Sequence, residues 1–395
     1  MHYTPQSELE ARVNRVRARL RQEGLDGILV LQKVDLFYLT GTTQNGVFFL
    51  PAQGDPVFAV KRSLTRARTE SAWTEIAALK SMKQLPGLLA ERAHGGFHRL
   101  GVELDVIPAR SYLQLLGLFP DVELVDASPI LRETRMIKSA YEIERIEAAA
   151  EQLRVVMAEI PSMMKDGCER EIDLAARIEG ALRRERHQGI IRVRRFGLEM
   201  YYGAVSAGGS ASYPVDFDGP DGMEGLYAAV PQSGGERLLR RGEPIMVDLC
   251  GGHDGYIADK TRIFCAGGLR DEELLRAHHF ALQVQAEVRT RMRPGANTGR
   301  IYRAIEEIVA DSPFAGNFMG YGDNQTRFVG HGVGLELDEL PVLTPRSEVV
   351  LKAGMVVAVE PKFFFGDRGG VGIENTWVIT REGCRNLTAD DDEVV

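Results

Sequence analysis

The sequence predicts a chain of two domains in which strands and helices are mixed. Its 395 residues suit two or three domains. Strand and helix patterns intermix as far as about Ser128, which predicts an α/β domain. A long amphipathic helix pattern then begins near Ser139, and two β-hairpin patterns follow in the C-terminal half. Both hairpins carry acidic residues inside apolar strands, and these residues direct the functional interpretation.

The elements of the first domain follow from hydrophobic periodicity. Residues 7–23 are predicted as a helix, because apolar residues recur every three or four positions before Gly24, a fitting C-cap. A helical pattern over residues 64–78 and strand patterns at 99–103 and 122–125 are also present. Apolar runs bounded by Gly or Pro predict strands in the segments DGILVLQ, FYLTG, GVFFLPAQG and DPVFAVKR.

The second domain is predicted to begin within Pro129–Lys138 and to run to the end of the chain. Segment 203–236 is rich in Gly, Ser and Pro, and it is too long for a simple connection in a compact domain. We interpret it as a binding loop or lid, with a mobile surface loop as the alternative. Helices are predicted from apolar stripes at residues 139–164, 169–186, 271–292 and 298–310.

Composition excludes several classes of protein. A net charge of −8 disfavours nucleic acid and anionic membrane as partners. No apolar run reaches about 18 residues, so no transmembrane helix is predicted, and the N-terminal residues lack the apolar core of a signal peptide. The four cysteines form no CxxC pair, which favours reduced thiols and a cytoplasmic location. Neither nucleic acid nor a membrane is therefore an expected partner.

The first hairpin pattern is PIMVDLCGGHDGYIADKTRIF, at Pro244–Phe264. Apolar residues alternate on both sides of a Gly-rich centre, as in paired strands. If the hairpin folds between His253 and Asp254, Asp248 lies directly opposite Asp259, where two like charges are destabilising. Two carboxylates held together need a shared proton or a cation. The alternative is that each Asp is a solvent-exposed residue at a strand end.

Three further residues interrupt apolar or Gly-rich segments downstream. His331 lies between two glycines in FVGHGVGLELDELP, where bare backbone lets another element approach closely; a purely structural histidine is the alternative. Glu360 ends the strand pattern GMVVAVEP, and Glu374 lies inside GGVGIENTWVIT. If these two strands fold about Asp367, Glu360 lies opposite Glu374.

The sequence therefore brings four carboxylates and one imidazole into two hairpins and a turn. Unpaired, these carboxylates would be strongly destabilising when buried, and too few basic strand residues are expected nearby to neutralise them. A pair of divalent ions would do so. Oxygen-rich ligation with one nitrogen favours Mn²⁺ over structural Zn²⁺. Two such ions can bridge a water, lower its pKa and polarise a carbonyl group.

These motifs resemble those of the pita-bread metallopeptidases, which include prolidase, aminopeptidase P, methionine aminopeptidase and the metal-free relative creatinase. The segments that carry the resemblance are VDLCGGHDGYIADKTRIF, GHGVGLELDELP, GMVVAVEP and GIENTWVIT. YLTG at 38–41 and RMIKSAYEI at 135–143 resemble the N-terminal creatinase-like domain and its linker. The resemblance implies an α/β creatinase-like domain at residues 1–134. It also implies an α+β pita-bread catalytic domain at 135–395, a curved antiparallel sheet covered by helices.

The resemblance also implies a role for each acidic residue. Asp248 would bind the first metal ion, and Asp259 and Glu374 would bridge both ions. His331 and Glu360 would complete the second site, with Glu360 also handling the proton of the bridging water. The implied enzyme is an Xaa-Pro dipeptidase or aminopeptidase P-like hydrolase, most simply with two Mn²⁺ ions, Co²⁺ or Zn²⁺ being alternatives. A homodimer is implied by the resemblance alone.

The chain departs from the Xaa-Pro enzymes at substrate-binding positions. Those enzymes carry His at the positions of Asp338 and Arg327, Arg at Gly372, and a further His near Val215. Arg327, Asp338, Tyr201, Tyr202 and Tyr213 could substitute for them. The same metal centre could instead act on a small amide or guanidino compound, or catalyse a lyase reaction. A non-catalytic binding protein on this fold is disfavoured, because all five ligand positions are intact.

Overall fold

The computed structural model describes residues 3–90, 96–390 and 392–394. Within it the chain forms two compact units, Met1–Arg135 and Met136–Val395. Of the helices in the described residues, none is long and apolar enough to cross a membrane.

The first unit is an α/β unit. Its elements among the described residues are α1 (Gln6–Gln22), β1 (Gly27–Val30), α2 (Lys33–Thr40), β2 (Gly46–Pro51), β3 (Val57–Val60), α3 (Leu64–Glu70), β4 (Ile76–Ala78), α4 (Leu85–Ala90), β5 (Arg99–Val102), α5 (Ala109–Leu118), β6 (Glu123–Asp126) and α6 (Ser128–Arg135). These strands form a mixed sheet with the order β4-β3-β2-β1-β5-β6. β1 pairs antiparallel with β2 and parallel with β5, so antiparallel and parallel pairing meet at this inner strand. Apolar side chains such as Leu29, Phe49 and Leu100 form the core.

Two predictions for this unit are wrong. The segment FYLTG, predicted as a strand, lies in α2; the side chain of Gln32 caps its first turn and Gly41 closes it with a φ of 73°. A left-handed glycine of this kind is a common helix terminator. The helix predicted over 64–78 ends at Glu70, and Ile76–Ala78 forms strand β4 parallel to β3. The other strand predictions here are confirmed to within a few residues.

The second unit carries the longer helices and antiparallel strands. The four predicted helices are confirmed as α7 (Ala140–Lys165), α8 (Glu171–Arg184), α9 (Glu272–Arg291) and α10 (Thr298–Ala310). Helix α7 begins with a capping box between Ser139 and Glu142. The strands are β7 (Gly203–Ala207), β8 (Ile245–His253), β9 (Tyr256–Phe264), β10 (Gly330–Gly332), β11 (Glu339–Val342), β12 (Val356–Val359), β13 (Lys362–Phe364), β14 (Gly370–Gly372), β15 (Asn375–Ile379) and β16 (Cys384–Asn386).

The strands of the second unit form three antiparallel groups among the described residues. Their orders are β7-β8-β9, β11-β10-β12-β15-β16 and β13-β14. Helix α7 packs against β8 and β9, and α9 packs against β13 and β14. Segment 203–236, interpreted as a binding loop or lid, begins with β7, which pairs with β8 so that Ala204 lies opposite Asp248. The remainder of the segment is irregular apart from a short 3₁₀ turn.

Gly251→Ala should destabilise the second unit, because a Cβ at position 251 would fall closer than van der Waals contact to the backbone carbonyl of Ala149 in α7. Overpacking of this kind costs about 1–3 kcal/mol, measurable by urea unfolding. Gly180→Ala in α8 is the matched control, since the nearest neighbour is the flexible end of Arg184. It should be neutral or stabilise by about 0.5–1 kcal/mol. Equal stability of Gly251→Ala and the wild type would contradict the packing of α7 on β8.

Candidate metal centre

The first hairpin places Asp248 and Asp259 on one face, but not directly opposite each other as predicted. Asp248 lies opposite Thr261, and Asp259 lies opposite Cys250. The turn consists of Asp254 and Gly255, with φ of 50° and 89°, a conformation that suits two-residue hairpins and favours Asp-Gly. The predicted register is therefore wrong by two residues. Because side chains alternate with a period of two, this even shift keeps both aspartates on the same face.

The second pair of acidic residues has the predicted register. Val359 lies opposite Asn375 in the β12–β15 pair, and Lys362 lies opposite Gly372 in the β13–β14 pair. These two pairs have the same antiparallel register. Glu360 and Glu374 therefore lie opposite each other between the β12–β15 and β13–β14 pairs. Both residues are almost fully buried.

His331 lies on β10 with its imidazole aimed at the carboxylates. A Cβ at Gly330 or Gly332 would collide with backbone carbonyls, which confirms the predicted close approach around the histidine. Nδ1 lies 3.1 Å from the carbonyl oxygen of Leu337 and 3.2 Å from that of Gly332. A carbonyl can only accept, so Nδ1 carries a proton, and in the neutral form of the ring the lone pair is at Nε2. This is the tautomer that a metal-binding histidine uses.

Three carboxylates surround that lone pair. His331 Nε2 lies 3.5 Å from Glu360 Oε1, 3.8 Å from Asp259 Oδ2 and 3.9 Å from Glu374 Oε1. One ligand atom from each of Asp259, His331 and Glu374 lies within 4.8 Å of the others. Glu374 Oε1 is also buried without a hydrogen-bond partner. A buried, unsatisfied carboxylate oxygen beside an imidazole lone pair fits a divalent cation.

A lysine that the sequence reasoning missed lies on the other side of the cluster. Lys362 Nζ is 2.8 Å from Asp221 Oδ2, 2.9 Å from Asp248 Oδ2, 3.0 Å from Glu360 Oε2 and 3.2 Å from Glu374 Oε2. Its side chain is fully buried. The expectation that too few basic residues lie near these carboxylates was therefore incomplete. Lys362 follows Glu360 by two positions in an extended segment, and that spacing could have identified it.

The electrostatics divide the cluster into two halves. Burial opposes the ionised form of Asp248, but Lys362 outweighs it and holds the pKa of that carboxyl below its usual value. Burial raises the pKa of Asp259 well above its usual range, and Glu374 and Asp248 add to the shift. Burial raises the pKa of Glu374 to about 8, partly offset by Lys362. Lys362 thus outweighs burial at Asp248 but not at Asp259 or Glu374.

Two neighbours complete the surroundings of the carboxylates. The Thr261 hydroxyl donates to Glu374 Oε2 at 2.8 Å, which holds the glutamate in place. Cys250, two residues after Asp248 on β8, lies on the same face of the strand, and its Sγ lies 3.5 Å from Asp259 Oδ1. Burial raises the pKa of the Cys250 thiol well above its usual value, and Asp259 adds to this shift. The cysteine is thus a neutral thiol lining the site.

The predicted substrate residues lie in different places. Asp338 lies behind the imidazole, with Oδ1 at 3.7 Å from His331 Nδ1. Arg327 is exposed and pairs with Glu306 at 2.8 Å. Tyr213 is exposed and lines a pocket of about 80 Å³ that also borders Asp221. Of the other tyrosines considered, Tyr201 lines a smaller pocket beside Asp221 and Asp248, whereas the buried Tyr202 donates to the Ala175 carbonyl.

The chain belongs to metallopeptidase family M24. The profile of that family matches residues 144–381, more than half of the chain, and the profile of the creatinase/prolidase N-terminal domain matches residues 12–137. The predicted family and fold class, a creatinase-like α/β domain followed by an α+β pita-bread domain, are confirmed. Membership implies that divalent metal ions are bound.

Relatives align over almost the whole chain. The sequence is 27% identical to "Uncharacterized peptidase YqhT" of Bacillus subtilis, covering 97% of this chain and 99% of the relative. It is 24% identical to an Xaa-Pro dipeptidase of Pyrococcus horikoshii over 98% and 99% of the two chains. The fold is similar to that of an Xaa-Pro dipeptidase from Bacillus anthracis, with a TM-score of 0.81 at 23% identity over 98% and 99% of the two chains.

His331→Ala should abolish metal binding at this site. Loss of a hydrogen-bond partner of a metal ligand already costs roughly 10–100-fold in affinity, so we expect loss of the ligand itself to cost more than about 100-fold. Titration calorimetry with Mn²⁺ on protein stripped of metal measures this. His278→Ala is the control, because His278 is also buried but contacts the carbonyl oxygen of Asp392 instead. Unchanged affinity in His331→Ala would contradict the assigned site.

Proposed function

We propose that this protein hydrolyses an amide bond in short peptides at a divalent metal centre held by Asp259, His331 and Glu374. The observation that carries the proposal is the unpartnered, buried Glu374 Oε1 close to the imidazole lone pair. Membership of the metallopeptidase family supports the reaction class. The names of the relatives, Xaa-Pro dipeptidase and dipeptidase, support short peptides as substrates, with Xaa-Pro as the first to test.

The bound ion would supply an acidified water and polarise the substrate carbonyl. The chain's own residues would supply the proton handling. Lys362 and Glu360 Oε2 are 3.0 Å apart, whereas Glu360 Oε1 faces the imidazole at 3.5 Å. A carboxylate held at one oxygen and directed into the site at the other suits a general base. We therefore assign proton transfer to Glu360 Oε1.

Substrate binding is proposed for the pockets lined by segment 203–236. Tyr213 and Tyr321 border the pocket of about 80 Å³ beside Asp221, where they could contact a small substrate group. This supports Tyr213 as a substrate residue and the interpretation of the segment as a binding loop. Arg327, exposed and paired with Glu306, has weaker support from its position.

Three finer features stay predictions. Mn²⁺ as the ion is supported by an oxygen-rich ligand set with one nitrogen. A cytoplasmic location is supported by four cysteines that are all free thiols. Homodimerisation rests on family resemblance alone.

Asp259→Ala and Glu374→Ala should each abolish turnover, because each removes a ligand of the ion. The assay is a panel of dipeptides and tripeptides, including Xaa-Pro substrates, with Mn²⁺ added. Retained turnover in either variant would contradict the proposed centre. Hydrolysis of small amides or guanidino compounds by the wild type, with no cleavage of any peptide, would favour the non-peptide alternative.

Asp338→Asn should weaken metal binding by up to roughly 10-fold, because its carboxyl group lies 3.7 Å from Nδ1 of a proposed ligand, close to it but without a hydrogen bond. With saturating Mn²⁺ the KM for the substrate should be unchanged. A raised KM with unchanged metal affinity would instead support the direct substrate role that the sequence suggests for this residue. Calorimetry and steady-state kinetics on the same preparation separate the two results.

A further inference from the structure

We propose that the centre binds one divalent ion, and that the ammonium group of Lys362 permanently takes the place of the second. The inference rests on the proposed function and specifies the composition of its metal centre. It replaces the two-ion expectation derived from the sequence. What carries it is a lysine nitrogen in contact with Asp248 and Glu374, two of the three acidic side chains that were assigned to the first ion.

The position of the ammonium matches the first of the two predicted metal sites. Asp248 was expected to bind only the first ion, and Glu374 was expected to bridge both. Lys362 Nζ contacts Asp248 Oδ2 at 2.9 Å and Glu374 Oε2 at 3.2 Å. An ion bonded to these oxygens at about 2.0–2.2 Å would overlap the ammonium nitrogen. The two cations therefore exclude each other.

The backbone commits Lys362 to this position. Its strand β13 pairs with β14, where Gly372 lies directly opposite Lys362. A Cβ at Gly372 would lie 2.6 Å from the Pro361 carbonyl oxygen, 2.7 Å from Lys362 Cα and 2.8 Å from Lys362 Cγ. The absence of a side chain at 372 therefore lets β14 lie close against both the backbone and the side-chain stem of Lys362.

Displacement of the ammonium by an ion would be unfavourable. The side chain is fully buried, and moving it would leave a charged group in the interior without its partners, which is strongly destabilising. The four carboxylate oxygens within 3.2 Å of Nζ stabilise the ammonium form where it lies.

The remaining ligand atoms are sufficient for one ion. The ammonium has three N–H donors and four carboxylate oxygens within 3.2 Å, so its donors are fully used. Glu360 and Glu374 each give one oxygen to Lys362 and turn the other toward His331 Nε2. With Asp259 Oδ2 these atoms form a single group. Lys362 is accordingly a positioning residue that aligns both glutamates without contacting substrate.

The test is metal stoichiometry of the full-length protein. Protein stripped of metal, reloaded with excess Mn²⁺ and desalted should contain one equivalent of Mn²⁺ by elemental analysis. Its electron paramagnetic resonance spectrum should be that of an isolated ion rather than an exchange-coupled pair. Two equivalents with a coupled spectrum would overturn the inference and leave the proposed function standing. No bound Mn²⁺ at all would overturn both.

Variants at position 362 sharpen the result. Lys362→Ala removes the ammonium and opens space, so the content should rise toward two equivalents. Lys362→Met removes the charge but fills the space, so the content should stay at one or below. Lys138→Ala, at another buried lysine that pairs with Glu339, should not change the stoichiometry. A folded Lys362→Ala variant that still holds one equivalent would count against the inference, and the wild-type measurement decides the matter if that variant does not fold.

Discussion

The structure of the second unit depends on cations that stabilise carboxylates buried in antiparallel strands. Asp248, Asp259, Glu360 and Glu374 come from two separate hairpins and share one face of the site. Their mutual repulsion opposes folding of the strands that hold them, because ionised carboxylates are poorly tolerated in the interior without partners. The ammonium of Lys362 meets part of this requirement within the chain. The remaining part, around Asp259 and Glu374, is what the proposed divalent ion would supply.

Much of this site could be predicted from strand periodicity alone. The register of Glu360 against Glu374 followed from symmetry about Asp367, and the structure has that register. The first hairpin was placed two residues out, because the Asp254-Gly255 turn was not recognised as the preferred two-residue turn. The acidic residues nevertheless converge, because an error of two residues leaves each side chain on the predicted face of its strand. Alternation is thus a more robust guide to a site than exact pairing.

What the sequence reasoning missed has two different causes. Lys362 has a local signal, because it lies two residues after Glu360 and an extended segment places both side chains on one face. Asp221 carried none, because it belongs to an irregular segment and reaches Lys362 across 141 residues of chain. Loop residues reach a site through tertiary structure and not through periodicity. The same limit applies to FYLTG, where a short apolar run suits either strand or helix and Gly41 decides in favour of the helix.

Anomalous diffraction at the manganese edge, from crystals grown with Mn²⁺, tests the central claim most directly. We predict a single peak enclosed by Asp259, His331, Glu360 and Glu374, with the Lys362 side chain still among Asp221, Asp248 and the two glutamates. Two peaks, or a Lys362 side chain turned away from the carboxylates, would contradict the account. So would carboxylates that remain together with no ion bound.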